Sequence, residues 1–208
     1  MNRIFSPDGP LISILNTIAD LVILNILTLL LCIPVVTAGA SFTAMYYVLI
    51  KMARHEDSYV AKMFFHSFKQ NFYQATVIWA CVMLGAAGFI SLNRMFLEDP
   101  SMQTMRILLG VVLLILLCGI SYIFPLLSRF DNSIPTTIRN AYLMSVLHFP
   151  KTVVILLIHG LFIAAYAFLF LRAIPLVMLV GLTLPGYLTA YLFSGIFKRY
   201  EGEVGQNV

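Results

Sequence analysis

Two ionisable side chains, Asp20 and His159, stand inside otherwise apolar runs. A carboxylic acid and an imidazole can share or exchange a proton, and an ionisable group in hydrocarbon is costly enough to point to function by default. The expectation is a proton-responsive polar pair, Asp20 with His159, inside a helical bundle. Two blander placements stand beside it. Asp20 would lie at an interface if its helix entered the membrane late, and His159 would be neutral and bonded to a backbone carbonyl of a neighbour. The second candidate is Leu184-Pro185-Gly186, where Pro185 and Gly186 interrupt a long apolar segment. Broken membrane helices build ion and substrate sites in transporters. They also occur as plain kinks whose freed carbonyls are satisfied by neighbours, which is the simpler reading.

A third candidate is a surface. Val60, Ala61, Phe64, Phe65, Phe68 and Phe72 recur at helical spacing, with Lys62, His66, Lys69 and Gln70 on the other side. As a partner-docking face this offers Phe64, Phe65 and Phe68 as aromatic anchors, joined by Tyr46 and Tyr47. Lys62, Lys69 and Arg139 would form the polar rim. The plainer role is packing against the ends of a spanning bundle.

Other chemistry finds no support. The chain has no Gly-rich phosphate loop, no HExxH and no GxSxG. Its four histidines (His55, His66, His148, His159) are scattered rather than set at ligand spacing, and Cys32, Cys81 and Cys118 each lie singly in apolar runs. The expectation is therefore a protein that is not an enzyme and uses no cofactor or metal.

These residues must be held by helices in a bilayer. Of 208 residues 61% are hydrophobic and only 11% charged, and the mean hydropathy is +0.94. A soluble domain carries roughly a quarter charged residues, so lipid must be the solvent for much of this chain. The net charge of +4 is small, its basic residues sit in a few clusters, and no basic-aromatic module of the RNA-binding kind occurs, so no nucleic-acid partner is expected.

The fold class is all-α: one polytopic membrane helical bundle over residues 1–208, with about five transmembrane helices plus cytoplasmic-side amphipathic helices. The spans fall at about 10–36, 73–93, 105–127, 152–171 and 174–197. The amphipathic segments are 41–54, 58–72 and 133–149. The first of these is too short in its apolar part to span and is peripheral or re-entrant. Ala38-Gly39-Ala40 has the look of a signal-peptidase site, but the apolar run before it is far longer than a signal core of about 7–15 residues, so an uncleaved first span is preferred. The tail from Lys198 onward reads as polar and mobile.

Basic residues set the orientation. With the N-terminus outside and the C-terminus cytoplasmic, nine of the thirteen Lys and Arg residues face the cytoplasm. This multi-pass arrangement in the cell membrane holds only if residues 41–54 do not cross.

The strings Asn16, Ala19-Asp20-Leu21, Asn25, Pro34-Val35-Val36-Thr37-Ala38-Gly39-Ala40-Ser41 and Thr43-Ala44 resemble the opening signature of the YesL-like family of bacterial integral membrane proteins. Ser67-Phe68-Lys69-Gln70-Asn71-Phe72, Gln74-Ala75-Thr76, Trp79, Pro125 and Arg129-Phe130-Asp131-Asn132 continue the resemblance. Asn140-Ala141, His148, Pro150 and Thr152 extend it, so that it runs from about Ile4 to Lys198. It implies a polytopic protein with a domain of unknown function, whose relatives' genes often lie beside those for carbohydrate ABC-transporter components and glycoside-degrading enzymes. It carries over no catalytic residue. The expected function is an accessory component of carbohydrate uptake, partnered by ABC-transporter subunits. The alternative is a small secondary transporter or channel that acts as a homo-oligomer.

Overall fold

The computed structural model describes residues 10–56, 59–97 and 102–204. The lead 1–9 with its expected cap, the loop residues Glu98, Asp99 and Pro100, and residues 205–208 lie outside the described residues. Among the described residues every regular element is helical. The helices are α1 (Pro10–Cys32), α2 (Ala38–Ala53), α3 (Val60–Leu97), α4 (Gln103–Leu127), α5 (Ile134–Leu147), α6 (Phe149–Leu169), α7 (Ile174–Val180) and α8 (Thr183–Val204). Five helices among them are long and apolar enough to cross a membrane, and α7 with α8 makes a sixth if that bent pair is one span. The protein is a polytopic helical membrane bundle.

The break after α1 comes from Pro34. Proline disfavours helical backbone at the residue before it, and its own N–H is missing. Pro34 is extended, Val35–Thr37 form one 3-10 turn, and the chain re-enters a helix at Ala38. It then doubles back. Ser41 Oγ donates to Thr28 O at 3.3 Å, and Thr183 at the start of α8 donates to Leu21 O while Gly186 meets Met45 and Leu49 of α2. Rising numbers on α2 therefore meet falling numbers on α1, and the two helices are antiparallel.

Here the structure differs from the expectation for residues 41–54. That stretch is not short, and it is packed within the bundle. With its 3-10 lead-in it runs from Val35 to Ala53, long and apolar enough to cross, and eleven of the sixteen residues of α2 are buried. Small residues explain how. Gly39 lies so close to α3 that a Cβ there would come within 2.6 Å of Ala75 O and of Trp79 Cβ. Ala38, Ala40, Ser41, Thr43 and Ala44 keep the rest of the first turns thin, the packing mode of helices in lipid.

A second difference concerns α3. The expected amphipathic segment 58–72 and span 73–93 are one uninterrupted helix of 38 residues, roughly 57 Å long at 1.5 Å per residue. No Gly or Pro stands between Val60 and Leu84 to stop it. Its first half packs antiparallel on α2, with Gly39 against Ala75 and the Tyr47 ring beside His66. Its second half pairs with α4, where apolar side chains such as Leu84, Met95, Ile107 and Leu114 are exposed. In a bilayer those side chains meet acyl chains.

α5 follows the expected amphipathic segment. Pro135 sits in its first turn, where a missing N–H costs nothing, and Gly119 of α4 leaves room for the Tyr142 ring. An aromatic column closes the core beside α2. Tyr122 meets Phe193 edge-on at 5.1 Å, Phe193 stacks on Phe197 at 5.7 Å, and Phe197 meets Phe130 at 5.5 Å.

Candidate functional site

The expected pair of Asp20 and His159 is not joined. His159 Nδ1 lies 2.9 Å from Ile155 O, one turn back on its own helix, and Nε2 lies 3.3 Å from Tyr46 Oη. A carbonyl can only accept, so Nδ1 carries the proton and Nε2 accepts from the Tyr46 hydroxyl. The imidazole is thus bonded to a backbone carbonyl, its own helix's rather than a neighbour's. Its polar partner comes from α2. Asp20 is half-buried and has no side-chain hydrogen bond or ion pair among the described residues.

The helix break is displaced from Pro185-Gly186. α7 ends at Val180, α8 begins at Thr183, and the two axes differ by 43°. Pro185 falls in the first turn of α8, where proline is tolerated. Gly186 serves packing, since a Cβ there would approach Leu49 Cδ1 to 2.8 Å.

The break exposes backbone groups that hydrocarbon cannot solvate, and one side chain makes four bonds to the backbone there. Asn25 Nδ2 donates to Val177 O at 2.9 Å and Met178 O at 2.8 Å. Its Oδ1 accepts from Leu182 N at 2.9 Å and Thr183 N at 3.3 Å. An amide is the one side-chain group with two donors and a two-lone-pair acceptor, and here that capacity is used on both sides of the break. Tyr166 Oη adds a bond to Gly181 O at 2.9 Å. Asn25 itself is fully buried. The sequence offered one signal for it, an amide alone on its face of an apolar helix. Its partners, more than 150 residues away, were not readable.

The docking face is also revised. Phe64 is fully buried and Tyr46 nearly so; they belong to the core. Phe68 is half-buried and stacks on Phe64 at 6.2 Å. Phe65, Lys62, His66 and Lys69 are exposed along one strip of α3.

The same end of the bundle carries a charged clasp that the sequence reading missed, because it placed residue 201 in a mobile tail. Arg54, just past α2, forks onto Glu201 with bonds of 2.7 and 3.3 Å and reaches Ser194 Oγ at 3.1 Å. Arg129, after α4, bonds the same carboxylate at 3.1 Å. His148 between α5 and α6 meets Tyr200 Oη at 3.2 Å. Burial, with Lys151 and Arg199 nearby, holds the His148 pKa below the ordinary histidine value.

A cavity of about 540 Å³ lies between α2, α4, α6 and the α7–α8 break. Its wall is almost wholly apolar, with Tyr46, His159, Ser121 and Tyr166 supplying polar points and Trp79 an indole. Among the described residues no three His, Cys, Asp or Glu side chains are grouped to hold a metal ion.

Residues 21–93 match the family model described as "Protein of unknown function, DUF624". This is the YesL-like domain family that the sequence resembles. The DUF624 match takes in Asn25, the break at Pro34, all of α2 and most of α3. The α7–α8 break that Asn25 bridges lies outside it. No curated protein and no solved structure matches the chain.

Replacing Asn25 tests the bridge. Asn25→Leu removes four hydrogen bonds and strands two N–H groups, at a cost of about 1–3 kcal/mol for each buried group left unpaired. A marked fall in the thermal unfolding midpoint of the detergent-solubilised protein is expected. Asn16→Leu, at an exposed position on the same helix, is expected to leave the midpoint unchanged.

Proposed function

We propose that this integral membrane protein is a non-catalytic accessory component of carbohydrate uptake that docks ABC-transporter subunits at its basic end. The observation that carries the docking part is the strip Lys62, Phe65, His66 and Lys69. These side chains are exposed while Met63, Phe64 and Ser67 between them are buried. The backbone of the strip is therefore held by its own core face, and a partner has only side chains left to order. The carbohydrate part rests on the YesL-like resemblance. The alternative of a small secondary transporter or channel acting as a homo-oligomer has less behind it. Asn25 and Tyr166 already occupy the backbone groups at the α7–α8 break that would otherwise hold an ion.

Purification from native membranes in mild detergent, with mass spectrometry of co-eluting proteins, tests the docking. Transporter permease or solute-binding subunits are expected with the natural protein. They are expected to be lost in a Lys62→Glu, Phe65→Ser, Lys69→Glu variant with an unchanged unfolding midpoint. A homo-oligomer with no partner would overturn the proposal.

We infer further that the N-terminus faces outward and the C-terminus faces the cytoplasm. The half of α3 that pairs with α4 is by itself about long enough to cross a hydrocarbon core of about 30 Å, and α2 lies beside the other half, which carries Lys62 and Lys69. Nine basic residues then face the cytoplasm, and Arg3, Arg94, Arg106 and Arg172 face outward. In intact cells a membrane-impermeant maleimide is expected to label both Arg172→Cys and Asn2→Cys. Sparing of Asn2→Cys until the cells are permeabilised would put the N-terminus in the cytoplasm instead.

A further inference from the structure

The polar atoms in the wall of the 540 Å³ cavity have a common direction. Tyr46 O–H donates to His159 Nε2, Tyr166 O–H to Gly181 O, and Ser121 O–H to Leu117 O. The two N–H groups, on His159 and Trp79, are given to Ile155 O and Val35 O. Every one of these donors is thus spent on the protein itself. Tyr46 Oη also meets Thr189, so what remains is lone-pair capacity on the hydroxyl oxygens of Tyr166 and Ser121, each able to accept one more bond. No Lys, Arg, Asp or Glu lines the space.

This pattern selects an occupant. A phosphate or carboxylate would find neither cation nor free donor and would be buried without compensation. An ammonium could donate to the hydroxyl oxygens but would bring a full charge into an apolar space with no Asp or Glu to pair it. A plain alkane would fit the apolar wall but leave the hydroxyl oxygens unused. A molecule with a long hydrocarbon chain and an uncharged hydroxyl satisfies both, since its chain lies on the wall and its O–H donates to Tyr166 or Ser121. The volume falls in the range of about 300–1,000 Å³ usual for small-molecule sites. We propose that this cavity is a binding site for one uncharged, single-chain long-chain alcohol, the chemical class of the fatty alcohols. This site is independent of the docking strip on α3.

Trp79 is the chain's one tryptophan and lines the cavity, so its fluorescence reports occupancy. The probes are brominated hexadecanol and brominated phosphatidylcholine, titrated into lipid nanodiscs that hold the full chain. Gly160 borders the cavity, and nothing lies within 4 Å of a Cβ added there, so Gly160→Phe fills the space without a clash at the backbone. Saturable quenching by the brominated alcohol is expected in the natural protein, with loss of the saturable part in Gly160→Phe. Leu157→Phe, on an exposed face of the same helix, is expected to keep it. Three outcomes would overturn the proposal. One is quenching that rises linearly with the alcohol's mole fraction, and another is equal saturation in Gly160→Phe. The third is phosphatidylcholine saturating as the alcohol does, which would make the cavity a general lipid contact.

Discussion

A backbone amide in hydrocarbon must have a partner, and the bundle is built around one place where that rule is hardest to meet. The α7–α8 break frees the Met178 carbonyl and the N–H groups of Leu182 and Thr183, and Asn25 takes all three while adding a second bond to Val177 O, which already accepts from Gly181 N. Measured side-chain hydrogen bonds between membrane helices average only about 0.6 kcal/mol, whereas an unsatisfied group in lipid costs several. The weight of Asn25 therefore lies in what would be stranded without it. Fixing the break fixes the path of α8. α8 in turn brings Gly186 against α2, Phe193 and Phe197 into the aromatic column, and Glu201 to the two arginines.

α2 is the element that the others enclose. Apolar burial alone does not hold it there, because lipid tails are as apolar as the neighbouring helices. Close fit does. Gly39 touches the α3 backbone, and Val48, Leu49 and Ile50 are fully buried. The Arg54–Glu201–Arg129 cluster closes one end, but its side chains are partly exposed, and partly exposed ion pairs contribute about 0–1 kcal/mol each. The clasp sets the register of that end, and the packing of α2 supplies most of the hold.

Much of this was legible in the sequence. Composition and hydropathy fix the class, Pro34 marks the first break, and the amphipathic period from Ser133 marks α5. Four things were not legible, each because it depends on a distant partner. A short apolar stretch with Ser41, Thr43, Lys51 and Arg54 reads as peripheral until five neighbours are seen to enclose it. Phe64 reads as an anchor because helical periodicity marks an apolar face and does not say whether protein or a partner covers it. Pro185-Gly186 attracts notice as a break, yet proline is harmless in a first turn and the chain parts at Gly181-Leu182 instead. Asp20 and His159 invite pairing because both are ionisable, while the partner His159 actually meets is a tyrosine.

The enclosure of α2 is tested most directly by a cross-link from its middle to α8. In a chain with Cys32, Cys81 and Cys118 replaced by alanine, Leu49→Cys and Gly186→Cys place two sulfurs where a Cβ on Gly186 would meet the Leu49 side chain. Mild oxidation in native membranes is expected to give an intramolecular disulfide. Failure to form it, together with labelling of Leu49→Cys by a membrane-impermeant maleimide, would put α2 at the membrane surface and contradict its place at the centre of the bundle.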